Sequence, residues 1–146
     1  MTNESQKVVD TLNSLLRGEI SAVETYRQAL VKLDHTSARA DLEDCHRSHE
    51  HRMATLRDHI RRLGGAPADD SGAWGTFAKL VEGSAVALGE KAAIAALEEG
   101  EDHGLKLYRE EIGKLDVSSR HLVEMALLPA QERTHRTMSS LKHTLH

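Results

Sequence analysis

Apolar side chains recur along the first third of the chain at alternating steps of three and four. Val9, Leu12, Leu16, Glu19, Val23, Tyr26, Leu30 and Leu33 fall on one stripe, the period of a helix that buries one face. The spacing predicts a first helix from about Glu4 to Leu33. Asp34 to Ser37 then read as a turn whose Asp, Thr and Ser suit an N-cap. The stripe resumes as Leu42, His46, His49, Met53, Leu56, Ile60 and Leu63, so that two histidines sit in an otherwise apolar seam. Gly64, Gly65 and Pro67 end this second helix, because glycine takes the left-handed C-terminal conformation and proline cannot extend the hydrogen-bond ladder.

A Gly-, Ala-, Asp- and Ser-rich stretch from Ala66 to about Gly75 leads to a short helix predicted for Trp74 to Val81, interrupted near Gly83 and Ser84. A third long helix is predicted from about Glu90 to Leu115, with Ile94, Leu97, Glu101, Leu105, Tyr108, Ile112 and Leu115 on its stripe. Ser118 and Ser119 suit the cap of a fourth helix, kinked at Pro129, in which Met125, Leu128, Glu132, His135, Met138, Leu141 and Leu145 share a broad face. The expected architecture is an all-α, ferritin-like four-helix bundle filling one domain, residues 1–146. It has a first hairpin over about 4–63, a long crossover with a short extra helix over about 64–89, and a second hairpin over about 90–146.

The two hairpins repeat one another. An offset of 82 residues, from Glu19 to Glu101, lays Gly18, Glu19, Tyr26, Arg27, Lys32 and Leu33 on Gly100, Glu101, Tyr108, Arg109, Lys114 and Leu115. The same offset sets Glu50 on Glu132, Met53 on His135 and His49 on Gln131. Folding each hairpin about its turn brings Glu19 level with His49 and Glu50, and Glu101 level with Glu132, with His135 one turn along. Buried carboxylates need a positive partner, since unpaired burial costs several kcal/mol. Metal ions are one such partner. Di-metal bundles take one inward Glu from each of two helices and a Glu-x-x-His from each of the other two. Glu132 and His135 meet that pattern, whereas Glu50 is followed three residues later by Met53, a poor ligand for hard iron. His49 is the candidate substitute. Glu43 and His46 form a literal Glu-x-x-His, but seven residues nearer the turn, about 10 Å off level. The metal candidates are therefore Glu19, His49, Glu50, Glu101, Glu132 and His135, for iron or another divalent ion. Equally open is a metal-free layer in which Arg27 and Arg109, or His49 and His135, neutralise Glu19 and Glu101 and so fix helix register.

Composition narrows the function classes. With 19 Lys and Arg against 23 Asp and Glu, the net charge of −4 offers no footprint for nucleic acid or anionic lipid. No apolar run approaches the roughly 20 residues that span a bilayer. Cys45 is the lone cysteine and Met1 to Asp10 lack the pattern of a signal peptide, so a reducing cytoplasm is the expected location. Homodimerisation through an exposed stripe is the expected form of association.

Several segments carry a family likeness: Leu12 to Leu16, Leu63-Gly64-Gly65-Ala66-Pro67, Ser71-Gly72-Ala73-Trp74-Gly75, and Glu98-Glu99-Gly100-Glu101-Asp102 followed by Tyr108-Arg109. Together they resemble an uncharacterised bacterial domain family of the ferritin-like superfamily. The resemblance implies the bundle fold and no assigned reaction. Carried over residue by residue, the di-iron pattern of that superfamily meets Glu19, Glu50, Glu101, Glu132 and His135 and departs at Met53. The expected function is a bundle without catalytic activity that binds one metal ion, or none, at an incomplete interior site and works through association. The alternatives are a di-iron ferroxidase or oxidase and a purely structural or adaptor bundle.

Overall fold

The computed structural model describes residues 1–72 and 89–145. Helix α1 runs Asn3–Leu33 and α2 Arg39–Arg62. Helix α3 runs Glu90–Glu111 and closes in a 3-10 turn, Ile112–Lys114. The last arm is one continuous helical run: α4 over Val117–Leu122, a π-helical turn over Val123–Leu127, and α5 over Leu128–Thr144. Among the described residues there is no strand, and no helix is long and apolar enough to cross a membrane. The short helix expected over Trp74 to Val81 lies outside the described residues.

Local chemistry explains where the helices start and stop. Thr2 caps α1 by accepting from the Ser5 amide at 3.0 Å. At the end of α2, Gly64 takes φ +82°, and the Gly65 amide donates to the Ile60 carbonyl at 3.0 Å. Gly65 must also lack a side chain, since a Cβ there would stand 2.7 Å from Cγ1 of Val9. Asn13 then clamps the outgoing chain: its Nδ2 donates to the Ala66 carbonyl at 3.0 Å and its Oδ1 accepts from the Ala68 amide at 2.7 Å. Two expected caps are corrected. The cap of α4 is Asp116, which accepts from the Ser119 amide at 3.1 Å. Ser119 itself is fully buried, with its hydroxyl 2.8 Å from His59 Nε2. The N-cap position of α2 is Ala38, which has no side-chain acceptor.

Pro129 falls in the first turn of α5, directly after the π turn. Proline has no amide hydrogen and its ring crowds the carbonyl four residues back, so a regular α-turn is costly there. The wider turn, in which the Leu128 amide reaches back five residues to the Val123 carbonyl, accommodates it. The inward row along this arm is Val123, Leu127, Gln131, Thr134 and Met138, while Met125 is exposed. The expected face through Met125, Glu132 and His135 therefore lies to one side of the buried row.

Helix α1 packs chiefly on α2 and α3 on α5, so the bundle is two hairpins laid together. Its core falls into two apolar groups. One gathers Tyr26, Ala29, Leu33, Leu42, Cys45, Ile94, Leu97 and Met138. The other gathers Val9, Leu12, Leu15, Leu16, Leu56, Ile60, Tyr108, Val123 and Leu127. In sequence order along each helix, a buried polar layer separates the two.

Candidate functional site

The layer contains Glu19 from α1, His49 and Arg52 from α2, Glu101 from α3, and Gln131 and Thr134 from α5, all buried. His49 joins the two hairpins: Nε2 lies 2.7 Å from Glu101 Oε2, and Nδ1 lies 3.2 Å from Glu19 Oε1. Because both ring nitrogens face a carboxylate, both carry protons, and the ring is an imidazolium. Burial alone pulls its pKa down, but the Glu101 and Glu19 carboxylates together outweigh this and hold it above the usual histidine value. Arg52 supplies the second positive charge, with Nε 3.3 Å from Glu19 Oε2. Two carboxylates thus face two cations.

Glu101 is saturated. Its Oε2 accepts from the Tyr26 hydroxyl at 2.6 Å and from His49, and its Oε1 accepts from the Thr134 hydroxyl at 2.6 Å and Gln131 Nε2 at 3.0 Å. Those four donors fill the lone-pair positions of a carboxylate. Burial acts to raise its pKa, yet the His49 charge and the hydrogen bonds from His49, Thr134 and Tyr26 bring it below the usual carboxylate value. The network closes through Arg52, which donates to Gln131 Oε1, to the Thr134 hydroxyl at 3.1 Å and to the Ser48 hydroxyl at 3.2 Å. Tyr26 also stacks on the His49 ring, with centroids 5.2 Å apart and planes 24° from parallel. Burial, followed by the Glu101 charge, pushes its phenol well above the ordinary tyrosine pKa. Cys45 nearby is pushed up to about 12, mainly by burial, which leaves an unreactive thiol.

Between α1 and α3 a cavity of about 30 Å³ reaches the layer, bordered by Gly18, Ala22, Gly104, Glu19 and Tyr108. It has room for about two water molecules. The Tyr108 hydroxyl, on a side chain only 2% exposed, has no hydrogen-bond partner. Its pKa is raised well above the tyrosine value by burial and then by the Glu19 charge. Gly104 leaves space for Gln131, whose Nε2 a Cβ would approach to 2.7 Å.

Of the six residues expected to bind metal, the structure brings together Glu19, His49 and Glu101. It does not bring the other three into the layer. Glu50, with half its side chain exposed, pairs with His46 Nδ1 at 3.3 Å on its own helix. Glu132 lies 3.9 Å from Arg109 at the surface. His135 contacts Asp102, and with Glu98 these form a surface trio whose ligand atoms lie within 4.8 Å of one another. Arg27 and Arg109, the alternative neutralising pair, are both exposed. The physical reason is angular. Successive helical residues point about 100° apart, so His49 turns inward and Glu50 outward, and Gln131 turns inward and Glu132 outward.

Sequence reasoning did not find Arg52 or Thr134. Their signal was present in the repeat, since the offset of 82 residues carries His49 to Gln131 and Arg52 to Thr134. The structure thus fills the two inward i, i+3 positions with His49-x-x-Arg52 on α2 and Gln131-x-x-Thr134 on α5. A di-metal carboxylate centre requires Glu-x-x-His at those positions. A guanidinium has no lone pair for a metal and Thr134 is committed to Glu101, so the residues present do not fit that centre.

A family model described as "Domain of unknown function (DUF2383)" matches residues 7–114, well over half of the chain. No curated protein and no solved structure matches it.

Proposed function

We propose that this chain, which belongs to the DUF2383 family, is a bundle of ferritin-like architecture without catalytic activity, working as a scaffold or adaptor through its outer faces. Its interior layer acts as a lock on helix register. One observation carries this reading: His49 bridges Glu19 and Glu101 while Arg52 closes on Glu19, so each buried carboxylate is neutralised by the chain's own cations. A layer that is balanced and hydrogen-bonded offers no open coordination position and no strong base. Contact with other molecules is left to the surface. Buried ionic groups that contribute little net stability are best attested as devices that specify register.

Titration of the purified protein with ferrous, manganous and zinc ions tests the reading. No ion held at Glu19 and Glu101, and no oxidation of ferrous iron faster than in buffer, is the expected result. Two tightly held ions per chain, lost in Glu19→Gln, would overturn it. A second reading rests on the trio of Asp102, which is exposed, with the partly buried Glu98 and His135, whose spacing suits one divalent cation. Lys142 already lies 3.3 Å from Glu98 and competes for it. In the same titration, a single weakly bound ion that Asp102→Asn abolishes and Glu19→Gln leaves unchanged supports that reading.

A further inference from the structure

On the side of the bundle away from the α1–α3 cavity, α2 and the π turn with α5 diverge around a groove of about 290 Å³. Small side chains keep it open: Ser48 and Thr55 on one wall, Ala126, Pro129 and Ala130 on the other. Its charge is one-sided. Arg52 forms its base, His51 and Arg133 stand at the rim, and no lining residue is acidic, although the chain carries a net charge of −4. The charge of Arg52 is spent on Glu19 and its nitrogens on Gln131, Thr134 and Ser48. Arg133 differs: it is exposed, and its guanidinium has no carboxylate partner among the described residues. Most of the opposite wall is apolar, and Met125, 69% exposed, is one of the few large hydrophobic side chains presented to solvent.

We propose that this groove binds a small organic monocarboxylate with a compact apolar body, such as a one-ring acid. The carboxylate pairs with the Arg133 guanidinium, whose planar fork matches it with two parallel hydrogen bonds. Ser48 adds a donor: its oxygen accepts from Arg52, which leaves its own proton free to point into the groove. The ring lies against Pro129, Ala126 and the Met125 thioether, a favourable contact for a ring edge. The one unengaged guanidinium in the lining favours a single negative charge, and the apolar wall disfavours a bare inorganic anion, which would leave that wall wet. The site depends on the same π turn that accommodates Pro129; it has Arg52 of the polar layer as its floor, but the carboxylate it holds pairs with Arg133, which lies outside that layer. Its failure would leave the reading of the layer untouched.

The test uses the full chain with benzoate, its neutral relative benzamide, and inorganic phosphate, each up to millimolar concentration. Binding is followed by NMR shifts of the Met125 methyl and, in the parent protein, of the Arg133 guanidinium Nε–H. The expected result is saturable binding of benzoate, weaker by about fivefold or more for benzamide and phosphate, and weakened by at least about fivefold in Arg133→Gln. Arg133 is exposed, so the variant should keep the parent melting temperature, and Arg57→Gln serves as a surface-charge control. Equal binding of benzamide overturns the carboxylate assignment, and equal binding of phosphate overturns the apolar half. Shifts that are absent, or that Arg57→Gln alters as much as Arg133→Gln does, overturn the site.

Discussion

Tyr26 and Tyr108 stand at equivalent places in the two hairpins, yet only Tyr26 has a partner: its hydroxyl donates to Glu101 at 2.6 Å, while the Tyr108 hydroxyl makes no hydrogen bond. The symmetry of the layer is broken at the Glu19 end. Tyr26→Phe removes a donor from a buried charge and should cost about 1–3 kcal/mol, whereas Tyr108→Phe should lie within about 0.5 kcal/mol of the parent. Urea denaturation of both variants checks this. Equal losses would show that the Tyr108 hydroxyl is satisfied after all, by the neighbouring Arg52 guanidinium or by a molecule in the cavity.

His49 carries the heaviest structural duty, since it neutralises carboxylates from two different helices. His49→Ala should destabilise by about 3–5 kcal/mol, the usual cost of leaving buried charge uncompensated. Replacing the whole set together, as Glu19→Leu, His49→Leu, Arg52→Met and Glu101→Leu, should instead be neutral or stabilising by about 1–4 kcal/mol. A large loss in the fourfold variant would mean that the layer contributes net stability as well as register.

The layer also sets a pH window. The His49 pKa is raised on folding, so its contribution is complete below the unfolded value of 6.5 and is lost as pH climbs through the folded value. The Glu101 pKa is lowered, so its contribution is present above 4.5 and is lost as pH falls through the folded value. Stability from this layer should therefore be greatest in mildly acidic solution and decline on both sides. Urea midpoints measured across the range should show an alkaline decline that is shallower in His49→Gln. An unchanged alkaline slope in that variant would rule out His49 as its source.

The end of α2 makes a separate, local prediction. Gly64 sits at φ +82°, where a Cβ is strained although its nearest neighbour, the Met1 side chain, lies 4.0 Å away. Gly64→Ala should cost about 1 kcal/mol through backbone conformation alone. Thermal unfolding measures it, and a cost near zero would mean that the turn relaxes out of the left-handed region.

The sequence by itself determined the four long helical arms and the stop at Gly64, because a period of three and four residues and a glycine C-cap are local properties of the chain. It also marked Glu19, His49 and Glu101 as polar residues in apolar stripes. Only the tertiary structure decided which of two adjacent residues faces the centre. His49 and Arg52 rather than Glu50 and Met53, and Gln131 and Thr134 rather than Glu132 and His135, form the inward pairs. One step along a helix is about 100° of rotation, and a stripe several residues wide tolerates that error. On the last arm a five-residue π turn lies just ahead of the pair. Arg52 was the least legible, because an arginine reads as a surface residue until a carboxylate from another helix is found beside it.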